Sequence, residues 1–194
     1  MTRPQCGFGL SVILLCWYGM MVIHEFGHMV AAWGTGGSVV RVILHPFALS
    51  RTDVAPNPEP LLVVWAGPVI GCALPLVAWL WVRFVGWRSI GSRGILLVRF
   101  FAGFCLVANG ASLGGGAWGG IGDAGEMQRL GSPTWALLAF GAVAEPLGFL
   151  LWPEAGPAFG RGREPLPVTR FLATIAASIL LTLVVAGAVF SARA

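Results

Sequence analysis

The run from Leu10 to Trp33 is apolar throughout, and its only acidic or basic side chains are His24, Glu25 and His28. At about 24 residues it is long enough to cross a hydrocarbon core of roughly 30 Å. Inside lipid every backbone polar group must find a partner within the protein, which makes an α-helix the only form for an isolated run of this kind. On that helix, positions i and i+4 lie one above the other, so His24 and His28 can aim two imidazoles at one metal ion. Glu25 sits beside them. Ionisable groups buried in a membrane are expensive and mark function.

Other segments repeat the constraint. Of the 194 residues, 57% are hydrophobic and 10% are charged, against the roughly 25% charged content of an ordinary soluble domain. Further apolar runs cover about 61–82, 95–113, 134–152 and 168–190. The expected architecture is therefore an all-α polytopic membrane protein of about five transmembrane helices, folded as one membrane domain over 1–194. The N-terminal run resembles a secretory signal at first, but cleavage after Ala31-Ala32 would remove the histidine motif, so a retained signal-anchor is expected.

All twelve basic residues are Arg, and the formal net charge is +4. The arginines fall in connections and at span ends, where they fix topology and meet lipid headgroups. Seven lie on the side of the N-terminus and four on the opposite side, which predicts a cytoplasmic N-terminus. A multi-pass protein of a bacterial plasma membrane fits this composition. No basic stripe with interleaved aromatics is present, so a nucleic-acid partner is not expected. Cys6, Cys16, Cys72 and Cys105 have no C-x-x-C spacing and read as small hydrophobes.

Between the first two spans, Ser38 to Val54 contains the β-branched run Val39-Val40-Arg41-Val42-Ile43-Leu44 and a looser alternation from Phe47, which predicts a short β-hairpin. His45 lies in this interval beside Pro46 and reads as a turn residue. The second span carries Ala66-Gly67-Pro68 and Gly71, where small residues permit close helix approach and proline favours a kink. Asn109 lies deep in the third span, where its amide needs a partner. From Gly110 to Gly125, eight of sixteen residues are Gly, and Asp123 follows near the end of that stretch. Its glycines suggest backbone that bends to carry an acid toward a metal, a form tolerated at membrane depth only when buried in protein or lining a watery cavity. Glu145-Pro146 interrupts the fourth run.

A catalytic zinc takes three protein ligands and keeps a fourth position for water. His24 and His28 supply two, and the third must be a carboxylate. Asp123 and Glu145 are both candidates, and spacing alone does not choose between them. Glu25 has the position of a general base acting on a metal-bound water. The chemistry indicated is that of a zinc hydrolase with one Zn2+ per chain.

His24-Glu25-Phe26-Gly27-His28 in an apolar helix, Ala66-Gly67-Pro68 in the next span, and Asn109 with Asp123 in and after the third together resemble the site-2 protease family of intramembrane zinc metalloproteases. The resemblance covers about residues 10–130, the three-helix catalytic core with spans at about 10–33, 61–82 and 95–113. It implies that His24, His28 and Asp123 ligate zinc, that Glu25 is the catalytic base, and that Asn109, Gly67 and Pro68 contact substrate. The implied substrates are transmembrane segments of other membrane proteins in the bilayer. Two departures stand out: Gly71 replaces an asparagine frequent in the family, and a glycine-rich interval ending in Asp123-Ala124-Gly125 replaces Asn-x-x-Pro and a nearby Asp-Gly. There is no segment for a PDZ or CBS domain, so control is expected from a separate regulatory protein or from substrate shape. Two other classes stay open: a membrane zinc protease of the HtpX type, with Glu145 as third ligand, and a catalytically inactive metal-binding membrane protein. Unwound substrate backbone would need partners in the membrane, and a strand from 38–54 could supply them by β-augmentation.

Overall fold

The computed structural model describes residues 2–44, 50–162 and 164–193. The chain forms helix α1 (Arg3–Gly34), strands β1 (Val39–Ile43) and β2 (Arg51–Val54), and helices α2 (Pro60–Trp81), α3 (Trp87–Gly119), α4 (Gly122–Arg129), α5 (Thr134–Leu151) and α6 (Arg170–Arg193). A single π-type turn, Val82–Gly86, joins α2 to α3, and a 3₁₀ segment, Pro153–Phe159, follows α5. Five of the helices are long and apolar enough to cross a membrane; α4 is not. This is the multi-pass helical architecture with a hairpin that the apolar runs and the β-branched segment predict.

The first span begins earlier than hydropathy suggests. Thr2 and Gln5 cap it reciprocally: the Thr2 backbone N–H donates to Gln5 Oε1 at 2.7 Å, and the Gln5 backbone N–H donates to Thr2 Oγ1. Gln5 Nε2 also donates to the Gly160 carbonyl at 3.0 Å, tying the start of α1 to the end of the 3₁₀ segment.

Helices α1 and α3 run in the same direction. Phe8, Val12 and Cys16 pack beside Leu97, Phe100, Phe101 and Phe104, and farther along His24 meets Asn109. Helix α2 runs against them, with Gly27 of α1 pressed on Ala66-Gly67 and Asn109 of α3 on Gly71. Helix α5 is antiparallel to α3 and packs through glycines: Gly103 meets Gly148, and Gly114 meets Gly141. Helix α6 lies along α1, with Ala176 in the cluster around Phe8, and keeps most of its surface exposed. At one end of the bundle Trp33, Trp118 and Trp135 are exposed, and at the other Trp81, Phe84 and Phe171. Aromatic side chains at both ends of a set of spans are the mark of two membrane–water interfaces.

The hairpin closes onto the end of α1. Gly37 N donates to the Ala32 carbonyl at 2.7 Å, Ser38 N to Pro56 O at 3.1 Å and Ala55 N to Ser38 O at 2.9 Å. Register pairs Val42 with Thr52 and Ile43 with Arg51, with an irregularity between Val39 and Arg41. Val39 and Val54 pack on Ala31, Ala32 and Val63, which fixes the hairpin over the junction of α1 and α2. His45 falls outside the described residues.

The glycine-rich interval differs from expectation. Helix α3 continues through Gly110 to Gly119, and the bend is confined to Gly120-Ile121-Gly122, where Gly120 and Gly122 have φ of 61° and 58°. Left-handed backbone of this kind is open to glycine at little cost. Helix α4 is then held by Met127 and Ala124, which are buried against Val64, Leu113, Ala117 and Leu137.

Candidate metal centre

Three segments converge near the C-terminal ends of α1 and α3 and the start of α2. His24, Glu25 and His28 come from α1, about two turns before it ends. Their ligand atoms all lie within 4.8 Å of one another and could hold a metal ion. The turn at Gly120–Gly122 brings in Asp123 at the head of α4. His24 Nε2 is 2.7 Å and His28 Nε2 is 3.5 Å from Asp123 Oδ2, and the two Nε2 atoms are 3.1 Å apart.

Hydrogen bonding fixes both imidazoles. The His28 Nδ1–H donates to the Val63 carbonyl at 2.8 Å. A carbonyl can only accept, so the lone pair of a neutral His28 is at Nε2, facing the cluster. His24 Nδ1 is 2.7 Å from Asn109 Oδ1, and the Asn109 amide is itself oriented because its Nδ2 donates to the Cys105 carbonyl at 2.9 Å. The Asn109 oxygen therefore faces His24, which must donate through Nδ1 and present Nε2 to the cluster. Such outer partners hold metal-binding histidines in one tautomer and one orientation. Asn109, only 1% exposed, thereby finds the partner its depth demands.

The donor set suits zinc in a second respect. The triangle of His24 Nε2, His28 Nε2 and Asp123 Oδ2 has edges of 2.7, 3.1 and 3.5 Å, around the roughly 3.3 Å edge of a tetrahedron with zinc bonds of about 2.0–2.1 Å. Gly67 keeps this space open: a Cβ there would run into the imidazole of His28 and Nε2 of His24. Burial works to raise the Asp123 carboxyl, but hydrogen bonds and charge from His24 and His28 in their protonated forms, whose Nε2 protons a metal ion would replace, override it and hold the group well below the usual carboxylate range. Asp123 is therefore ionised, as a metal ligand must be.

Glu25 is 2% exposed, and its Oε2 accepts a hydrogen bond from Thr52 Oγ1 at 2.7 Å. Strand β2 thus holds the carboxylate beside the histidines. No local pattern singles out Thr52, because its part depends on hairpin register and on how the hairpin seats over α1. Glu145 lies elsewhere. Its side chain packs on the seam between α3 and α5, against Gly110, Gly114 and Gly141. It lines neither of the cavities that open at the histidines. Pro68 is fully buried in α2, while Gly67 faces the imidazoles.

Two cavities flank the cluster. One, of about 300 Å³, lies under the hairpin and touches Glu25, His28, Asp123 and Glu126. The other, of about 170 Å³, lies between α1 and α3 and touches Trp17, Met20, His24, Glu25 and Asp123. Compared with known proteins, the chain matches no family model, no curated protein and no solved structure.

Proposed function

We propose that the protein is an intramembrane zinc metalloprotease that hydrolyses peptide bonds within or near transmembrane segments of other membrane proteins. The observation that carries the reading is the triangle of His24 Nε2, His28 Nε2 and Asp123 Oδ2, with Glu25 alongside, on a helix long and apolar enough to cross a membrane. His24, His28 and Asp123 would hold one zinc ion. When bound, zinc supplies Lewis-acid polarisation of the scissile carbonyl and a water of lowered pKa.

The residues of the chain do the rest. With Oε2 held by Thr52, the other oxygen of Glu25 would take a proton from the water that attacks the peptide carbonyl carbon. The C–N bond then breaks, and Glu25 returns the proton to the leaving nitrogen, giving a carboxylate and an amine. Asn109 and the Val63 carbonyl keep the imidazoles aligned through the cycle. The substrate must unwind to expose its carbonyl, and the hairpin offers strand edges on which unwound backbone can pair. Proline placed in turn at Val40, Val42 and Leu44 should lower cleavage at one or more positions with zinc retained; unchanged cleavage at all three would count against strand pairing.

The protease reading is tested by reconstituting the purified chain in liposomes with single-span reporter proteins. Expected are cleavage that a chelator stops and added zinc restores, and a Glu25→Gln variant that keeps zinc but loses at least about a thousandfold in rate, in the range of removing an essential general base together with its positioning. Cleavage that survives Glu25→Gln would overturn it. Metal content separates the two acids. Asp123→Ala should lose zinc and Glu145→Ala should keep it, because Glu145 packs on the α3–α5 seam.

A further inference from the structure

We propose that the two cavities meeting at Glu25 and Asp123 read the two halves of the substrate separately. The cavity between α1 and α3 takes one large apolar side chain from the membrane-embedded half, and the hairpin cavity takes the polar half that leads to water. The inference rests on the protease reading and names the class of segment it acts on: a span cut where apolar sequence gives way to polar.

The linings carry this. Glu25, Asp123 and Ser50 border both cavities, whereas His24 borders only the first and His28 only the second. The two spaces therefore continue each other across the catalytic cluster, one on each side of the bond to be cut. On α1 the first cavity is lined by Trp17, Met20 and Met21, one to two turns before the motif and toward the middle of the helix. Ala108 faces them from α3, with Asn109 and Ser112 beside it toward the cluster. Its volume of about 170 Å³ compares with the roughly 150 Å³ cavity that accepts benzene in another protein interior. It thus admits a side chain of the size of leucine, methionine or phenylalanine. Two methionines in the wall allow it to adapt to more than one of these shapes.

The second cavity lies at the other end of the motif. It is lined by Thr52 and Asp53 of the hairpin, by Asn57 and by Glu126 of α4. Arg51 also borders it, with its guanidinium engaged by Asp53 at 2.8 Å. An apolar stretch lodged there would leave these polar groups without water or partners, at a cost. A polar stretch keeps them satisfied.

The test uses single-span reporters carrying Ala, Leu or Phe at each position flanking the cut. Ala108→Leu narrows the first cavity, and Met20→Ala widens it. With zinc content checked in each variant, Ala108→Leu should shift the Leu-to-Ala ratio of kcat/KM toward Ala by about tenfold or more, the scale on which apolar pockets sort methylenes. Met20→Ala should shift the Phe-to-Leu ratio toward Phe. Ratios unmoved in both variants, with cleavage still dependent on Glu25, would overturn the pocket assignment and leave the protease reading standing. Absence of Glu25-dependent cleavage in the unsubstituted protein would overturn both.

Binding can be read without turnover. In Glu25→Gln, a photo-crosslinking residue at Ser112, in the first cavity, should capture the apolar half of the reporter. One at Glu126, in the second, should capture the polar half. Capture of the same half from both positions, or the reverse pattern, would overturn the assignment.

Discussion

At the scale of residues, the centre is held by groups that do not touch the metal position. Thr52 donates to Glu25 Oε2 at 2.7 Å, a hydrogen bond to a charged acceptor of the kind that contributes about 1.5–3 kcal/mol. Thr52→Val should lower kcat about tenfold or more with little change in KM or zinc content, and Thr52→Ser should restore most of it. Equal losses in both variants would assign Thr52 to packing alone. Gly67 makes a complementary prediction. Since a Cβ there would enter the space between the imidazoles, Gly67→Ala should weaken zinc binding at least about ten- to hundredfold, as changes just outside a metal site do. Competition with a chromogenic chelator measures it. The pair His24 and His28 was legible in the sequence because helical spacing alone aligns the two rings. Asn109 was legible as a buried amide in need of a partner and, by resemblance, as a substrate contact, but not as the group that orients His24. Thr52 was not legible, since no local pattern says which strand residue will face a helix 27 positions away.

Elements show why the third acid could not be chosen from sequence. Asp123 follows a glycine-rich stretch and Glu145 lies inside an apolar run, and which of them comes near the histidines rests on a turn of three residues. Gly120 and Gly122 reverse the chain after α3, and Gly125 sits so close to the Gly120 carbonyl that a Cβ has no room. Gly125→Ala should open this turn, cost about 1–3 kcal/mol as overpacking does, and reduce zinc occupancy while all five spans still insert. Protease protection of the inserted protein together with metal analysis would separate those effects. Earlier glycines of the same interval explain the longer third helix. Their low helix propensity reads as a break, but at Gly110 and Gly114 α5 packs closely on α3, and at Gly116 α4 does. Tertiary contact outweighs intrinsic preference there, and contact is what a single sequence does not display.

For the whole molecule, the fold was legible because five apolar runs leave few alternatives to five spans. Their arrangement was less so, as it depends on which small residues meet. Helix α5 is fastened to α3 at Gly103–Gly148, where a Cβ on Gly148 would strike the Gly103 carbonyl, Val107 and Leu106. Gly148→Leu should destabilise the bundle by at least about 1–3 kcal/mol, read as a lower unfolding midpoint in detergent. Glu145→Gln, on the same seam, should leave metal affinity alone.

The donor triangle joins α1 to α4 across 99 positions of chain. An ion there would act as a removable rivet between segments otherwise held by side-chain packing, and its binding energy would add to the energy needed to part them. Deuterium uptake should therefore report occupancy. Stripping the protein with a chelator should speed amide exchange in α4 and around the Gly27–Gly67 crossing, while the protected amides of α5 should exchange as before.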